Sequence, residues 1–144
     1  MRLTRFTDYS LRVLIYLGQN NEGRVTIHQI SEAYGISKNH LMKVVSNLTR
    51  LKIVVAQRGP GGGIQLNRSP KDIGLNEVIA NTEKHLQQTD VPVQFELTAT
   101  TRLSSFLQLA LNAYLEALGH YTLADVLGAQ KEVVSLLDLN EIAA

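Results

Sequence analysis

Residues 26–50 read TIHQISEAYGISKNHLMKVVSNLTR, and the spacing of their capping and apolar residues decides the fold. Thr26 and Gln29 form the S/T-x-x-E/Q pair that closes a helix N-terminus from both sides, so a helix is expected from there to about Tyr34. Gly35 and Ile36 make a short turn, and Ser37 caps a further helix running from Lys38 to about Leu51. In that helix Leu41, Val44, Val45 and Leu48 fall at i, i+3, i+4 and i+7, the spacing of a buried face. Asn39, Lys43, Ser46, Asn47 and Arg50 fall on the opposite side. Two short helices joined by a tight glycine-containing turn, the second polar and basic outside, form a helix-turn-helix pattern. A helical hairpin of no special function has the same pattern, and charge separates the two readings.

The formal net charge of +1 conceals an asymmetry. Residues 1–68 carry ten Lys and Arg against three acids, a net +7, whereas residues 69–144 carry four against ten, a net −6. The first half sets up a field that attracts polyanions and the second does not. Both halves are rich in apolar residues, so the split marks two folded parts rather than a charged tail. The basic half favours nucleic acid as the partner of the second helix.

Past that helix, Ile53 to Gln57 and Gly63 to Leu66 are short β-prone runs that flank RGPGGG, residues 58–63. The glycines suggest a phosphate cradle, but the nucleotide-binding patterns fail. No Lys-Ser/Thr follows as a P-loop demands, and Ile64 stands where a dinucleotide fingerprint needs its third glycine. The segment reads instead as a β-hairpin, a wing whose glycines permit positive φ and close approach to another surface. Arg58 at its base is suited to a narrow minor groove, where negative potential favours guanidinium.

Elsewhere Thr4 caps a first helix carrying Phe6, Tyr9, Val13 and Leu17 on one face, ended by the NNEGR stretch at residues 20–24. Ser69-Pro70 caps and opens a segment leading to a short helix at about Asn76 to Glu83. Residues 84–101 lack periodicity and read as a long connecting loop. Leu103, Phe106, Leu107, Ala110, Leu111, Tyr114 and Leu118 then repeat at three- and four-residue steps up to Gly119. So wide an apolar stripe needs a surface to bury against, and a second copy of the chain is the simplest one. Thr122 and Asp125 cap a last short helix, and VVSLLDL at residues 133–139 is amphipathic.

Composition narrows the function further. There is no cysteine, which excludes disulfides, a thiol nucleophile and thiolate metal sites. The four histidines are scattered, without an H-E-x-x-H pattern, and only His85 and His120 with loop acids suggest a metal at all. No convergent titratable set suggests an enzyme. No apolar run reaches membrane-spanning length, and Asp8 and Arg12 interrupt what would be a signal core, so a cytoplasmic protein without membrane contact is expected.

Together LTRFTDYSLRVLIYL, ISKNHLMKVVSNLTR, RGPGGGIQL and HYTLADVL resemble the NsrR/IscR family of winged helix-turn-helix transcription regulators, most nearly its nitric-oxide-sensitive repressor branch. The resemblance spans nearly the whole chain. It implies a mainly α fold with a small β-hairpin, and a homodimer on double-stranded DNA with two winged domains on successive turns of a palindromic operator. It places Asn39, His40 and Lys43 in the major groove, Arg58, Gly59, Gly61 and Gly62 at the wing, and Tyr9 and Ser37 on phosphates. Lys38, Asn47 and Arg50 complete the expected DNA-facing set.

The resemblance also divides the chain into a winged domain at 1–83, a sensor-loop position at 84–101 and a dimerisation part at 102–144. Many relatives hold an iron–sulfur cluster with three loop cysteines, and in some an acidic residue matching Asp8 acts as a fourth ligand. Here Asp90, Phe95 and Thr101 stand near the cysteine positions. A lone carboxylate cannot hold a cluster, so no cofactor is expected, and Asp8 is expected to favour the dipole of its own helix. Any signal through the loop is then expected to travel by packing, by a small-molecule effector between the domains or by a partner protein. The rival expectation is a winged-helix protein-interaction module that has lost specific DNA binding, against which the net +7 argues.

Overall fold

The N-cap of the first helix, Thr4, accepts a hydrogen bond from the Thr7 amide at 3.3 Å and starts α1, Arg5–Gln19. The computed structural model describes residues 2–86 and 97–128. Helix α1 buries Thr7, Ser10, Val13, Leu14 and Leu17, while Phe6 and Tyr9 pack half-buried beside them. The expected capping box opens α2, Ile27–Tyr34: Gln29 N donates to Thr26 Oγ1 at 3.2 Å and Thr26 N to Gln29 Oε1 at 2.8 Å. Gly35 ends α2 at a φ of 65°, in the left-handed region that glycine enters without a Cβ penalty.

Ser37 caps α3, Lys38–Arg50, through the His40 amide at 3.3 Å. The buried face of α3 is Leu41, Val44, Val45 and Leu48, as its periodicity requires. The helix closes with a paired turn, in which Lys52 N reaches Thr49 O at 2.9 Å and Ile53 N reaches Leu48 O at 3.0 Å. This geometry puts Lys52 at a φ of 58°. It also turns Ile53, fully buried, into the core.

Strands β1, Val54–Gln57, and β2, Gly63–Leu66, pair antiparallel with Val54 opposite Leu66 and Gln57 opposite Gly63. Of the strand residues only Val54, at the open end, and Ile64, one pair from the turn, are buried. The hairpin thus lies on the core by one residue of each strand, and its 58–62 tip is left to project. Near the tip Val25 braces the second strand, exchanging two backbone hydrogen bonds with Ile64 at 2.9 and 2.7 Å. At the tip Gly59 and Gly61 have φ values of 91° and 72°, where a Cβ-bearing residue is strained.

The next segment departs from expectation. Pro70 opens a 3-10 turn, Pro70–Asp72, without a side-chain cap from Ser69. Helix α4, Leu75–Thr82, begins only after Ile73, which is extended, wholly buried, and hydrogen-bonded through its carbonyl to Leu123 N at 2.9 Å. Burial of Ile73 holds the chain out of a continuous helix. A second 3-10 turn, Lys84–Leu86, follows α4.

The long helix α5, Leu97–Gly119, starts five residues before the boundary expected at 102. Thr98, Thr100 and Thr101 lower local propensity, but extending a helix already nucleated downstream costs far less than starting one. Beyond α5 the backbone returns to the winged part: Leu75 N donates to Tyr121 O at 3.0 Å, and Leu123 joins the core cluster. Residues 123–128 are helical, and Thr122 and Asp125 close the turn from both sides as expected, with Thr122 N donating to Asp125 Oδ2 at 2.7 Å. Asp90, Phe95 and the VVSLLDL stretch lie outside the described residues.

Candidate nucleic-acid interface

The core face of α3 fixes where its other side chains stand. Because 41, 44, 45 and 48 point inward, Lys38, Asn39, His40, Lys43 and Arg50 are exposed, and Asn47 is half-buried at the edge. Ser37 Oγ accepts the His40 amide and keeps its own proton free to donate. Tyr9 comes from α1 and packs its ring 5.9 Å from that of His40, so two residues distant in sequence meet on one surface. Arg58 is exposed at the wing base beside the exposed Gly59 and Gly61, while Gly62 is half-buried. A Cβ on Gly62 would collide with the backbone oxygen of Gln57, so the tip requires glycine there for space.

Charge on this side is uncompensated. The carboxylate contacts of basic side chains among the described residues are Arg12–Asp8 at 3.0 Å and Arg68–Glu77 at 2.7 Å, with the imidazoles of His28 at Glu32, 3.2 Å, and His85 at Glu83, 3.1 Å. None of them engages Lys38, Lys43, Arg50 or Arg58. Arg50 instead donates to Asn47 Oδ1 at 2.9 Å, which bends it along the helix and leaves its charge intact. Asp8 lies in the first turn of α1, with Arg12 one turn later as its partner.

Two concavities flank Lys43. A shallow one of about 490 Å³ is lined by Asn39, Met42, Lys43 and Ser46. A larger cleft of about 860 Å³ runs from Lys43, Asn47 and Arg50 to Thr4 and Phe6 of α1 and to Lys84 and His85. Met42 and Lys84 were not singled out by the sequence, and His85 was singled out only with His120 as a metal candidate. Met42 was legible as an apolar residue off the core stripe of α3. The place of Lys84 and His85 beside α3 was not, because only the fold of α4 brings them there.

The apolar stripe of the long helix divides along its length, exposed in the first half and half-buried in the second. Leu111, Tyr114 and Leu118 are half-buried, and α5 packs on α4. Leu103, Phe106 and Leu107 are 52%, 65% and 52% exposed, Leu109 is 68% exposed, and Ala110 is exposed with them. Burial raises the Tyr114 hydroxyl pKa, and the Glu83 carboxylate nearby adds to the shift, which places Glu83 at the junction of α1, α4 and α5. The described residues contain no group of three or more His, Asp or Glu side chains arranged to share a metal ion, and none of their helices is long and apolar enough to cross a membrane.

Known proteins share this arrangement. The pattern of the Rrf2 family, described as iron-dependent transcriptional regulators, matches residues 3–129. The chain is 41% identical to the HTH-type transcriptional regulator NsrR of Bacillus subtilis, covering 98% of this chain and all of that one. It is 42% identical to the NsrR of Bacillus licheniformis over 95% of this chain and 99% of the relative. Among solved structures, T. potens IscR superposes with a TM-score of 0.72 at 25% identity, over 92% and 90% of the two chains. CymR, the global cysteine regulator of B. subtilis, superposes with a TM-score of 0.69 at 23% identity over 89% and 97%, a likeness of fold. The expected mainly helical fold with a two-stranded wing is what the chain adopts, and its relatives are regulators rather than enzymes. The chain belongs to the Rrf2 family of winged-helix transcriptional regulators.

Proposed function

We propose that the protein is a homodimeric repressor that binds a palindromic operator and does so without an iron–sulfur cluster. The observation that carries this reading is the outer face of α3, where Lys38, Lys43 and Arg50 stand exposed with no carboxylate paired to them among the described residues. In the major groove Asn39, His40 and Lys43 would meet base edges, and Lys43 suits the acceptors of guanine. Tyr9, Ser37 and Lys38 would hold the register on phosphates, and Arg58 with the Gly59–Gly63 tip would reach the adjacent minor groove.

The exposed face of α5 supports a second copy as its cover. Burying a leucine or phenylalanine is worth roughly 1.5–3 kcal/mol, and Leu103, Phe106, Leu107 and Leu109 are all more than half exposed in one chain. Two winged domains joined that way present two equal reading heads, which a palindrome matches. The donor set does not fit a cluster, because thiolates are its usual ligands and the sequence has no cysteine. A small molecule or partner protein acting near α5 takes over the role of signal.

Selection of bound duplexes from a random pool, followed by gel shift against competitor DNA, tests the reading. An enriched palindrome bound in preference to random duplex is the expected result. Absence of any enriched sequence at low salt would sink it and leave the interaction-module reading in its place.

A further inference from the structure

The larger cleft beside α3 has a chemistry of its own. Its ionic groups from α3 and the second 3-10 turn include Lys43, Arg50 and Lys84, none paired with a carboxylate among the described residues. Asn47 Nδ2 is a buried donor without an acceptor. The amide cannot be turned over to hide that donor, since Asn47 Oδ1 is fixed by the Arg50 guanidinium at 2.9 Å. His85 presents Nδ1 to Glu83 Oε2 at 3.1 Å without an aligned hydrogen bond, and this leaves Nε2 for another partner. Glu83 is a buried carboxylate beside the cleft, offset on one oxygen by Thr4 N and Thr4 Oγ1, which donate to Oε1, and on the other by the His85 imidazole. The cleft therefore offers cations and N–H donors to a ligand that brings only acceptors.

We propose that this cleft seats a phosphate group, with Lys84 and His85 as contacts beyond the helix-turn-helix. A volume of about 860 Å³ exceeds one phosphate, so the group arrives on a larger molecule. Lys43 borders both this cleft and the shallow one on the outer face of α3, which makes a continuous path for a nucleic-acid backbone. The shared chemistry is phosphate, carried by the duplex or by a free phosphate ester, and the duplex assignment rests on the function proposed above.

The test uses the full chain with Lys84→Gln and, separately, His85→Gln, each checked for an unchanged thermal melt. With Lys84→Gln, affinity should fall equally for selected and random duplex, and the slope of log affinity against log salt should flatten by about 1. In the DNA-free protein, pyrophosphate is titrated while the amide NMR signals of Thr4, Lys84 and His85 are followed. Unchanged DNA slopes with saturable shifts that vanish in Lys84→Gln assign the seat to a free phosphate ester. Unchanged slopes without shifts overturn the proposal while leaving DNA binding standing. A wild-type protein that binds no duplex defeats the proposed function alone, and the titration still decides the cleft.

A separate observation carries a second inference, on the same assumption that α3 enters the major groove. Met42 is 52% exposed on the face that carries Asn39 and Ser46, an apolar side chain set among polar ones. We infer that it packs on the C5-methyl of a thymine, the apolar feature of the major groove. Replacing thymines of the selected site one at a time with deoxyuridine should weaken wild-type binding about fourfold at one position per half-site, the worth of one buried methyl group. Met42→Ala should erase that position's penalty. A site without thymine there, or a penalty that survives in Met42→Ala, overturns it.

Discussion

The backbone amide of Thr4 donates a 2.7 Å hydrogen bond to Glu83 Oε1, across 79 positions of sequence. The Thr4 hydroxyl adds a second bond at 3.1 Å, and Thr7 Oγ1 donates to Thr82 Oγ1 at 2.9 Å alongside. The start of the first helix is thereby tied to the end of the fourth. Burial alone would raise the Glu83 pKa. The Thr7 hydroxyl, the two Thr4 donors and the His85 imidazole outweigh burial and hold it below the usual carboxylate value.

A depressed folded-state pKa means that the Glu83 contribution is fully present above the unfolded value, about 4.3. It is lost as pH falls through the lower folded value. Denaturant titrations between pH 7 and pH 3 should show this loss in the wild type and a smaller one in Glu83→Gln. Glu83→Ala should destabilise by roughly 1.5–3 kcal/mol at pH 7, because it removes the charged acceptor shared by the Thr4 amide and hydroxyl. An Ala variant as stable as wild type would show that the tie carries no energy.

Lys52 has a φ of 58°, a conformation that costs an L-residue roughly 1–2 kcal/mol. Glycine removes that strain but widens the unfolded ensemble, so the net gain is smaller. Lys52→Gly should raise stability by about 0.5–1 kcal/mol by chemical denaturation. A loss of stability would mean that the lysine makes interactions outweighing its backbone strain.

Leu107→Asp places a charge among the exposed apolar residues Leu103, Phe106 and Ala110 of α5. Sedimentation should shift from dimer to monomer, and operator affinity should drop by more than tenfold while the thermal melt of the winged part is kept. A wild-type protein that sediments as a monomer at micromolar concentration rules out this use of the helix.

Lys43→Ala and Arg58→Ala should separate base reading from phosphate holding. If Lys43 reads a base, its loss narrows the gap between selected and random duplex by about 1–3 kcal/mol. Arg58→Ala should cost most on sites with an A·T-rich minor groove beneath the wing. Equal weakening on every duplex would assign both residues to phosphates.

Protein purified in air and protein prepared anaerobically with iron and sulfide should bind the operator equally. Thiolates are the usual cluster ligands and none exists here. Stoichiometric iron with visible absorption and altered operator affinity after reconstitution would refute the cluster-free reading.

What was legible in the sequence was local. Thr26 and Gln29 announce a helix start because their hydrogen bonds close within three residues. The stripe of Leu41, Val44, Val45 and Leu48 reveals both the core side of α3 and, by subtraction, its outer side. What was hidden depends on distant partners. Ile73 interrupts a helix because Leu123 binds its carbonyl, and Glu83 is buried because Thr4 reaches it. Lys52 does not look like a left-handed residue, since glycine or asparagine is the usual signal. The cleft of Lys43, Arg50 and Lys84 assembles only when α4 has folded beside α1.

Helix α5 can also be viewed as a lever. Its 23 residues run without an internal glycine or proline until Gly119, giving a shaft of about 34 Å. The foot is fastened to the winged part by the Leu75–Tyr121 and Ile73–Leu123 hydrogen bonds and by Leu123 in the core. A tilt of about 5° around that foot carries the Leu97 end through about 3 Å. Conversely, a push of that size at the far end would be felt as rotation at the foot, where the shaft also leans on α4. Ala110→Gly, at a cost of about 1 kcal/mol of helix propensity, would soften that shaft midway.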